Sequence, residues 1–381
     1  MPNPFAALEP ALRVIADGAQ VLPATGQAQE YLQRFDIDEY YDRIRTKDDK
    51  VLRDFHESPN NRLYVSLEPL GRTTEHVFRY FVDGSVKTYF LGTAVVHDQS
   101  TPILLGQAGA AVVRREDPGT VHIHKASREI IILADRGILT DVVWRKLEAL
   151  EPGLGPVPLR VLNTKDSDPY SEGGEDGEHR ERRSRAAHKA NWRMRELEKE
   201  ALRKLLTDHH QTGHWLVVDG GLGKEFKEKA FERGFVGVVK NFSKDQSFEI
   251  TSRGQTVRFS LYELLAKLDV NQRTAVFARD NGHVAFWYVR IREQRYMDYP
   301  LMGVIKIEIP NPRNEIVSSV LADRLSRALL SERSVSAHGR DPRWHAHLYP
   351  IFLAEQVIKT GFYSEEVLRA GIKWPRLVTG S

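Results

Sequence analysis

The sequence contains no cysteine. Disulfides and thiolate-held metals are therefore excluded, and any metal must be taken by Asp, Glu or His. No run of about 18 apolar residues is present either, which is the least that a membrane-crossing helix needs. The N-terminus lacks the basic-then-apolar pattern of a secretory signal, so a cytoplasmic protein is expected. Net charge is nearly absent: +3 over 381 residues hardly predicts nucleic-acid binding, and local clustering has to supply that signal. What is there is a globular composition, 41% apolar and 28% charged, in a chain long enough for one large or two modest domains.

Three runs rich in Val, Phe, Tyr, Thr and Leu follow one another at 76–82, 86–97 and 103–115. They predict an antiparallel three-stranded meander, with Val82-Asp83-Gly84-Ser85 as its hinge and Asp83 at the end of its first strand. Asp-Gly by itself reads equally well as a tight hairpin turn. A second Asp-Gly changes the balance. Trp215-Leu216-Val217-Val218-Asp219-Gly220-Gly221-Leu222 delivers another Asp to the end of an apolar strand, before a helix-like stretch at 224–233. A carboxylate at the mouth of a central strand is a common position for a metal ligand or catalytic acid. An ordinary strand-to-helix cap is the alternative.

Residues 1–75 suggest a short amphipathic helix over 4–16 and a charged one over 28–52. Together they would make a helical N-terminal arm that packs on a second subunit or a partner, or simply on the surface. In Val121-His122-Ile123-His124 two histidines share one strand face, a pair able to bind zinc or manganese if a third ligand joins them. Residues 126–150 read as helical, with Ile130, Leu133, Val142, Val143 and Leu147 apolar and a break at Gly137.

A charged loop is expected within 163–190, its first part rich in Asp, Ser, Gly and Glu and therefore mobile. Arg180, Arg182, Arg183, Arg185, Lys189, Arg193 and Arg195 then fall in one helical stretch. They form either a solvated, salt-bridged face or a phosphate-binding surface. On the same helix Met194, Leu197, Ala201, Leu202 and Leu205 make an apolar stripe at about 100° per residue. Glu198 lies within that stripe, whereas Glu196 and Glu200 point away. A buried carboxylate is costly unless it is paired or holds a metal, so Glu198 is the candidate and Glu200 the next choice.

Phe235-Val236-Gly237-Val238-Val239-Lys240 is a further buried strand, ending in a lysine that can serve a phosphate or pair with Asp219. Strands are expected at 274–278, 284–292 and 302–309, with Trp287 and Tyr288 either core or base-stacking. An amphipathic helix over 316–330 would bury Val317, Val320, Leu321, Leu325 and Leu329. Trp344-His345-Ala346-His347-Leu348-Tyr349-Pro350 precedes a last helix at 351–359.

In their order, Val-Asp-Gly-Ser in a meander, a Glu on a basic helix, Val-Val-Asp-Gly-Gly-Leu, Val-Gly-Val-Val-Lys240 and a late Tyr349-Pro350 resemble the NurA nuclease family, from about 78 to 362. The resemblance implies an α/β, RNase H-like mixed sheet flanked by helices. It also implies a manganese-dependent DNA nuclease, or one using magnesium, that forms a homodimer and works with a HerA-type hexameric ATPase. The expected roles are DNA-end processing, as in repair, or antiviral defence. Asp83, Glu198 and Asp219 would be the metal ligands, with Asp83 the bridge, and Lys240 and His347 auxiliaries. The chain departs from the family at its last helix, where Leu353-Ala354-Glu355 stands in place of Ala-His. His347 therefore fills that role from a shifted position, or the role is missing, while His345 reads as structural. Two other readings stay open: an inactive adaptor of the translocase, and an RNase H-like RNA nuclease.

Overall fold

The computed structural model describes residues 5, 8–24, 29–30, 39, 42–47, 50–53, 55–71, 76–116, 119–150, 157–165, 182–212, 214–223, 234–252, 255–294, 299–334 and 344–375. Ten strands make the path of its main sheet: β1 (Tyr64–Ser66), β2 (Phe78–Val96), β3 (Gln99–Arg115), β4 (Val121–Ala134), β5 (Leu159–Asn163), β6 (Trp215–Asp219), β7 (Phe235–Val239), β8 (Gln272–Thr274), β9 (Val284–Arg290) and β10 (Val304–Pro310). Their spatial order is β1-β8-β9-β10-β7-β6-β2-β3-β4-β5. Short strands Gln20–Pro23 and Gln29–Glu30 add to β2, and Phe277–Arg279 adds to β9.

The sheet is mixed, as the sequence predicts. β2, β3 and β4 form the antiparallel meander. β6 runs parallel to both β2 and β7, and β5 parallel to β4. Beyond β7 the pairing with β10, β9 and β8 is antiparallel.

Helices cover both faces: α1 (Glu9–Gly18), α2 (Asp141–Glu148), α3 (Arg182–Thr212), α4 (Leu261–Ala266), α5 (Ser319–Glu332), α6 (Tyr349–Lys359) and α7 (Glu365–Gly371). α3 lies on one face of the meander. Its Met194 and Leu197 pack on Leu104, Ala108 and Ala110, and its Ala201, Leu202 and Leu205 on Tyr80, Val82 and Val218. α5 and α6 cover the opposite face, where Leu325, Leu329, Ile351 and Ile358 meet Phe81, Ala111 and Val217.

The meander exists, but its strands divide differently. β2 runs unbroken through Asp83-Gly84-Ser85, which pair with Ala111, Ala110 and Gly109. The chain reverses instead at His97, whose φ is 53°. Gly84 therefore serves a close approach rather than a turn. A methyl group there would stand 2.8 Å from Met194 Cγ and closer still to Glu198 Oε1.

The helix expected over 126–150 is another correction. Residues up to Ala134 belong to β4, and only Asp141–Glu148 are helical. Ile130-Ile131-Ile132 is β-branched and lies between β3 and β5, so it is buried on both sides and carries no alternation to betray the strand. In α5, Val320 is 72% exposed while Leu325 and Leu329 are buried. Trp287 and Tyr288 are core residues with no exposed surface, and Trp287 Nε1 donates to Ser326 Oγ at 2.8 Å.

The N-terminal segment packs on the body of the chain. Leu8, Ile15 and Ala16 join Tyr89, Ile103 and Trp144 in one apolar cluster. The continuous helix expected over 28–52 is not formed: its described residues include the strand Gln29–Glu30, helical residues at 39 and 42–45, a turn at 46–47 and the strand Val51–Arg53. The parts of the expected loop within 166–181, including Arg180, and the helix-like stretch 224–233 lie outside the described residues. Residues 182–190 belong to α3.

Gly84→Ala should destabilise the fold by about 1–3 kcal/mol through overpacking. A urea titration checks this: the midpoint falls with an unchanged slope.

Candidate active site

Strand register places the two Asp-Gly motifs side by side. Val82 is the partner of Val218 across the parallel β2/β6 pair, so Asp83 and Asp219 follow at the same level of neighbouring strands. Such strands lie about 4.8 Å apart. Asp83 is buried at 2% exposure, and its Oδ1 accepts from Gly84 N at 2.7 Å. Its face follows from strand alternation. Gly84 faces α3, while Gly109, the partner of Ser85, would meet Ile358 of α6 if it carried a side chain. Asp83 and Ser85 therefore face α6.

Glu198 reaches the sheet from the α3 side. The stripe expected on this helix is buried throughout, and Glu198 with it at 8% exposure. Glu196 turns away and pairs with Lys199, and Glu200 pairs with Arg193. The Glu198 carboxylate rests against Gly84 in the space that a side chain would fill. Asp219 ends β6, and Gly220 follows with φ +102°, a conformation that favours glycine. Lys240, just past β7, holds Asp219 Oδ1 at 2.8 Å. Glu198, Asp219 and Lys240 line one small cleft together with Arg45, Met194, Arg195, Gly220, Gly221 and Val239.

Four of the five expected catalytic residues thus gather around the end of β6 and the middle of β2. Asp83 does not line the cleft itself; it lies one position from the Gly84 on which Glu198 rests. The fifth, His347, is also absent from the cleft lining. It is buried at 2% exposure before α6, where its carbonyl accepts from Ser334 N at 3.0 Å. His345 Nδ1 accepts from Gly303 N at 3.0 Å, a structural role. Glu355 is buried and pairs with Lys359 at 2.8 Å. His122 and His124 are exposed on β4.

The donor set around Gly84 is all oxygen, which suits magnesium or manganese. Among the described residues, however, no three His, Asp or Glu side chains stand close enough to hold an ion as they are arranged here. Asp219 is turned to Lys240 instead.

The basic residues of α3 divide by partner. Arg193 is taken up by buried Glu129, in two bonds of 2.7 and 2.8 Å. Side-chain bonds to Glu129 raise its pKa further. Arg183 stacks 3.6 Å over Phe90 and Lys189 lies 4.3 Å over Trp192, while Arg182 is exposed.

Behind the cleft is a buried charge network that the sequence reading passed over. Lys306 Nζ is 3.0 Å from both Asp42 Oδ1 and Glu308 Oε1, and Arg279 Nη2 is 2.9 Å from Glu308 Oε2. Glu308 also accepts from Leu222 N at 2.8 Å, and Arg279 donates to Leu222 O at 2.9 Å. The network thereby clamps the loop that follows Asp219. One signal was legible: Lys306 and Glu308 are the two charges in the apolar run Val304-Ile305-Lys306-Ile307-Glu308-Ile309, spaced to share a face.

Burial alone would raise the pKa of Glu308, but Arg279, Lys306 and Arg45 hold it well below the usual carboxylate range. Burial opposes ionisation of Asp42 likewise, yet Lys306 and Arg45 keep it lowered.

No family model and no curated protein matches the chain.

Folded-state pKa values below the unfolded ones make a contribution that is complete above about pH 4 and lost as pH falls below it. The urea midpoint should therefore drop between pH 5 and pH 2 in the parent. Glu308→Gln strands buried Arg279 and should cost about 3–5 kcal/mol at neutral pH. Its acid limb should be shallower than the parent's in urea titrations across that range.

Proposed function

We propose that this chain is a divalent-metal-dependent deoxyribonuclease, built on the RNase H-like architecture that the NurA resemblance implies. It acts as a homodimer with a HerA-type hexameric ATPase, on DNA ends or foreign DNA. The observation that carries this reading is that Asp83, Glu198 and Asp219 stand at one level of the sheet, Asp83 on its α6 side and Glu198 on its α3 side. Two of them come from adjacent parallel strands and the third from the helix that crosses them. The order β4-β3-β2-β6-β7 supports it too, because an antiparallel meander followed by two strands parallel to its first is the RNase H arrangement.

Asp83, Glu198 and Asp219 would hold manganese or magnesium. Such ions, when bound, neutralise phosphate charge and activate the attacking water. The residues of the chain contribute the rest. Glu198 reaches the site because Gly84 has no side chain. With Asp219 on the ion, the Lys240 ammonium that it holds here would be available to the phosphate. The Glu308–Arg279 pair keeps the loop after Asp219 in place.

A second reading has an observation of its own. The Asp219–Lys240 pair and the Ala354-Glu355 sequence fit a member that has kept the fold and become an adaptor of the translocase. Incubation of the purified protein with DNA and with RNA in manganese separates the two readings. DNA cleavage supports the nuclease, RNA cleavage alone redirects it, and neither favours the adaptor.

Asp83→Asn and Asp219→Asn keep side-chain size while removing a charge. Each should abolish manganese-dependent DNA cleavage and leave the circular dichroism spectrum unchanged. Full activity in Asp83→Asn would sink the nuclease assignment.

Arg182, Arg183 and Arg185 remain candidates for phosphate contact. Changing all three to Ala should lower the salt slope of DNA binding by roughly one unit per lost contact. An unaltered slope assigns the run to a solvated face.

A further inference from the structure

We propose that Arg45 binds a backbone phosphate of the nucleic acid at the cleft, to which the N-terminal segment supplies it. The inference rests on the nucleic-acid reading above, and it concerns a side chain to which no motif gives a role.

Arg45 is helical, as are the described residues 42–44 before it, and lines the cleft with Lys240, Asp219 and Glu198. Its side chain is only 10% exposed. The guanidinium lies against the loop after Asp219 and beside Glu308: a methyl group on Gly221 would stand 2.8 Å from Arg45 Cζ and 3.0 Å from Glu308 Oε2. A guanidinium has five N–H donors in a fixed fork. Among the described residues, Arg45 makes one hydrogen bond, from Nη2 to Asp42 Oδ1 at a long 3.3 Å. Its Nε is buried and has no partner there. A charged donor withdrawn from water without a partner is costly to keep.

The carboxylates nearby have Arg45 as one of several partners, and it helps to hold both ionised. Asp42 is satisfied by Lys306 at 3.0 Å and by Ser243 N at 2.9 Å. Glu308 is taken by Arg279 and Lys306. Besides facing these carboxylates, Arg45 lines the cleft together with Lys240 and Arg195. A phosphate oxyanion can take that fork in two parallel bonds, as a carboxylate can. Gly221 fits the same picture, because a side chain there would fill the space that the guanidinium occupies.

The test measures binding without cleavage, by fluorescence anisotropy of a labelled 20-nucleotide oligodeoxynucleotide in EDTA over a salt series. Arg45→Met should weaken binding about tenfold and lower the salt slope by roughly 0.7 for a single strand. Arg45→Lys retains the charge that faces Asp42 and protects the fold. It should keep the slope while losing part of the affinity, since it cannot make the two parallel bonds. Thermal melts of both variants establish that they are folded.

A folded Arg45→Met protein with the parent's affinity and slope would overturn the proposal. So would a thermal stabilisation by inorganic phosphate that needs Arg45 when oligonucleotide binding does not, because the cleft would then serve a free anion. A parent that binds DNA through Arg45 yet never cleaves it with manganese would refute the nuclease reading and leave this one standing.

Discussion

Asp42 and Glu308 are carboxylates with no access to water, and the candidate site depends on how their charge is met. Burying even one such group unpaired would cost several kcal/mol. Here Lys306 bridges the two and Arg279 closes on Glu308 from the other side. This arrangement joins parts of the chain that are remote in sequence: the N-terminal segment through Asp42, β10 through Lys306 and Glu308, and the loop after β6 through Leu222. A buried ion network is a weak source of net stability, but its geometry is demanding. Each charge tolerates few positions for its partner. That demand fixes the backbone just after Asp219 and brings Arg45 to the cleft.

Gly84 imposes the second constraint. A glycine in a strand gives up packing and backbone entropy, and it is retained where another group must come close. At Gly84 that group is the carboxylate of Glu198, carried on the helix stripe that also holds Met194, Leu197, Ala201 and Leu202. Asp83 points to the other face, towards α6. The strand itself therefore separates Asp83 from Glu198, and they approach each other only at the glycine between them. The same geometry explains why the acidic residues do not close into a ready-made three-ligand set. Asp219, at the end of β6, pairs with Lys240.

The basic helix serves two purposes. Arg193 is a structural cation that neutralises buried Glu129 on β4, and it also ties down Glu200. Arg183 and Lys189 lie over aromatic rings, where a cation keeps its charge available at one face while its stem covers apolar surface. Arg195 alone among these residues lines the cleft. A run of like charges in sequence is therefore no measure of a binding surface until each partner is known.

The sequence determined what depends on local period and residue type. The phase of α3 was legible because an apolar stripe at helical spacing leaves a single place for Glu198. The strands β6, β7, β9 and β10 were legible because short β-branched runs end at charged or turn-forming residues. The relation of the two Asp-Gly motifs to Glu198 was legible as an order along the chain. Where each residue stands was decided by the tertiary structure. Asp-Gly reads as a turn when only neighbours are considered, whereas Gly84 is a mid-strand contact because α3 presses on it. Ile130-Ile131-Ile132 reads as part of a helix until β3 and β5 are placed on its two edges. The pairing of Lys306 with Asp42 carries no local signal: the two lie 264 positions apart. Side-chain period is a property of one element, but the pairing of buried charges belongs to the assembled fold.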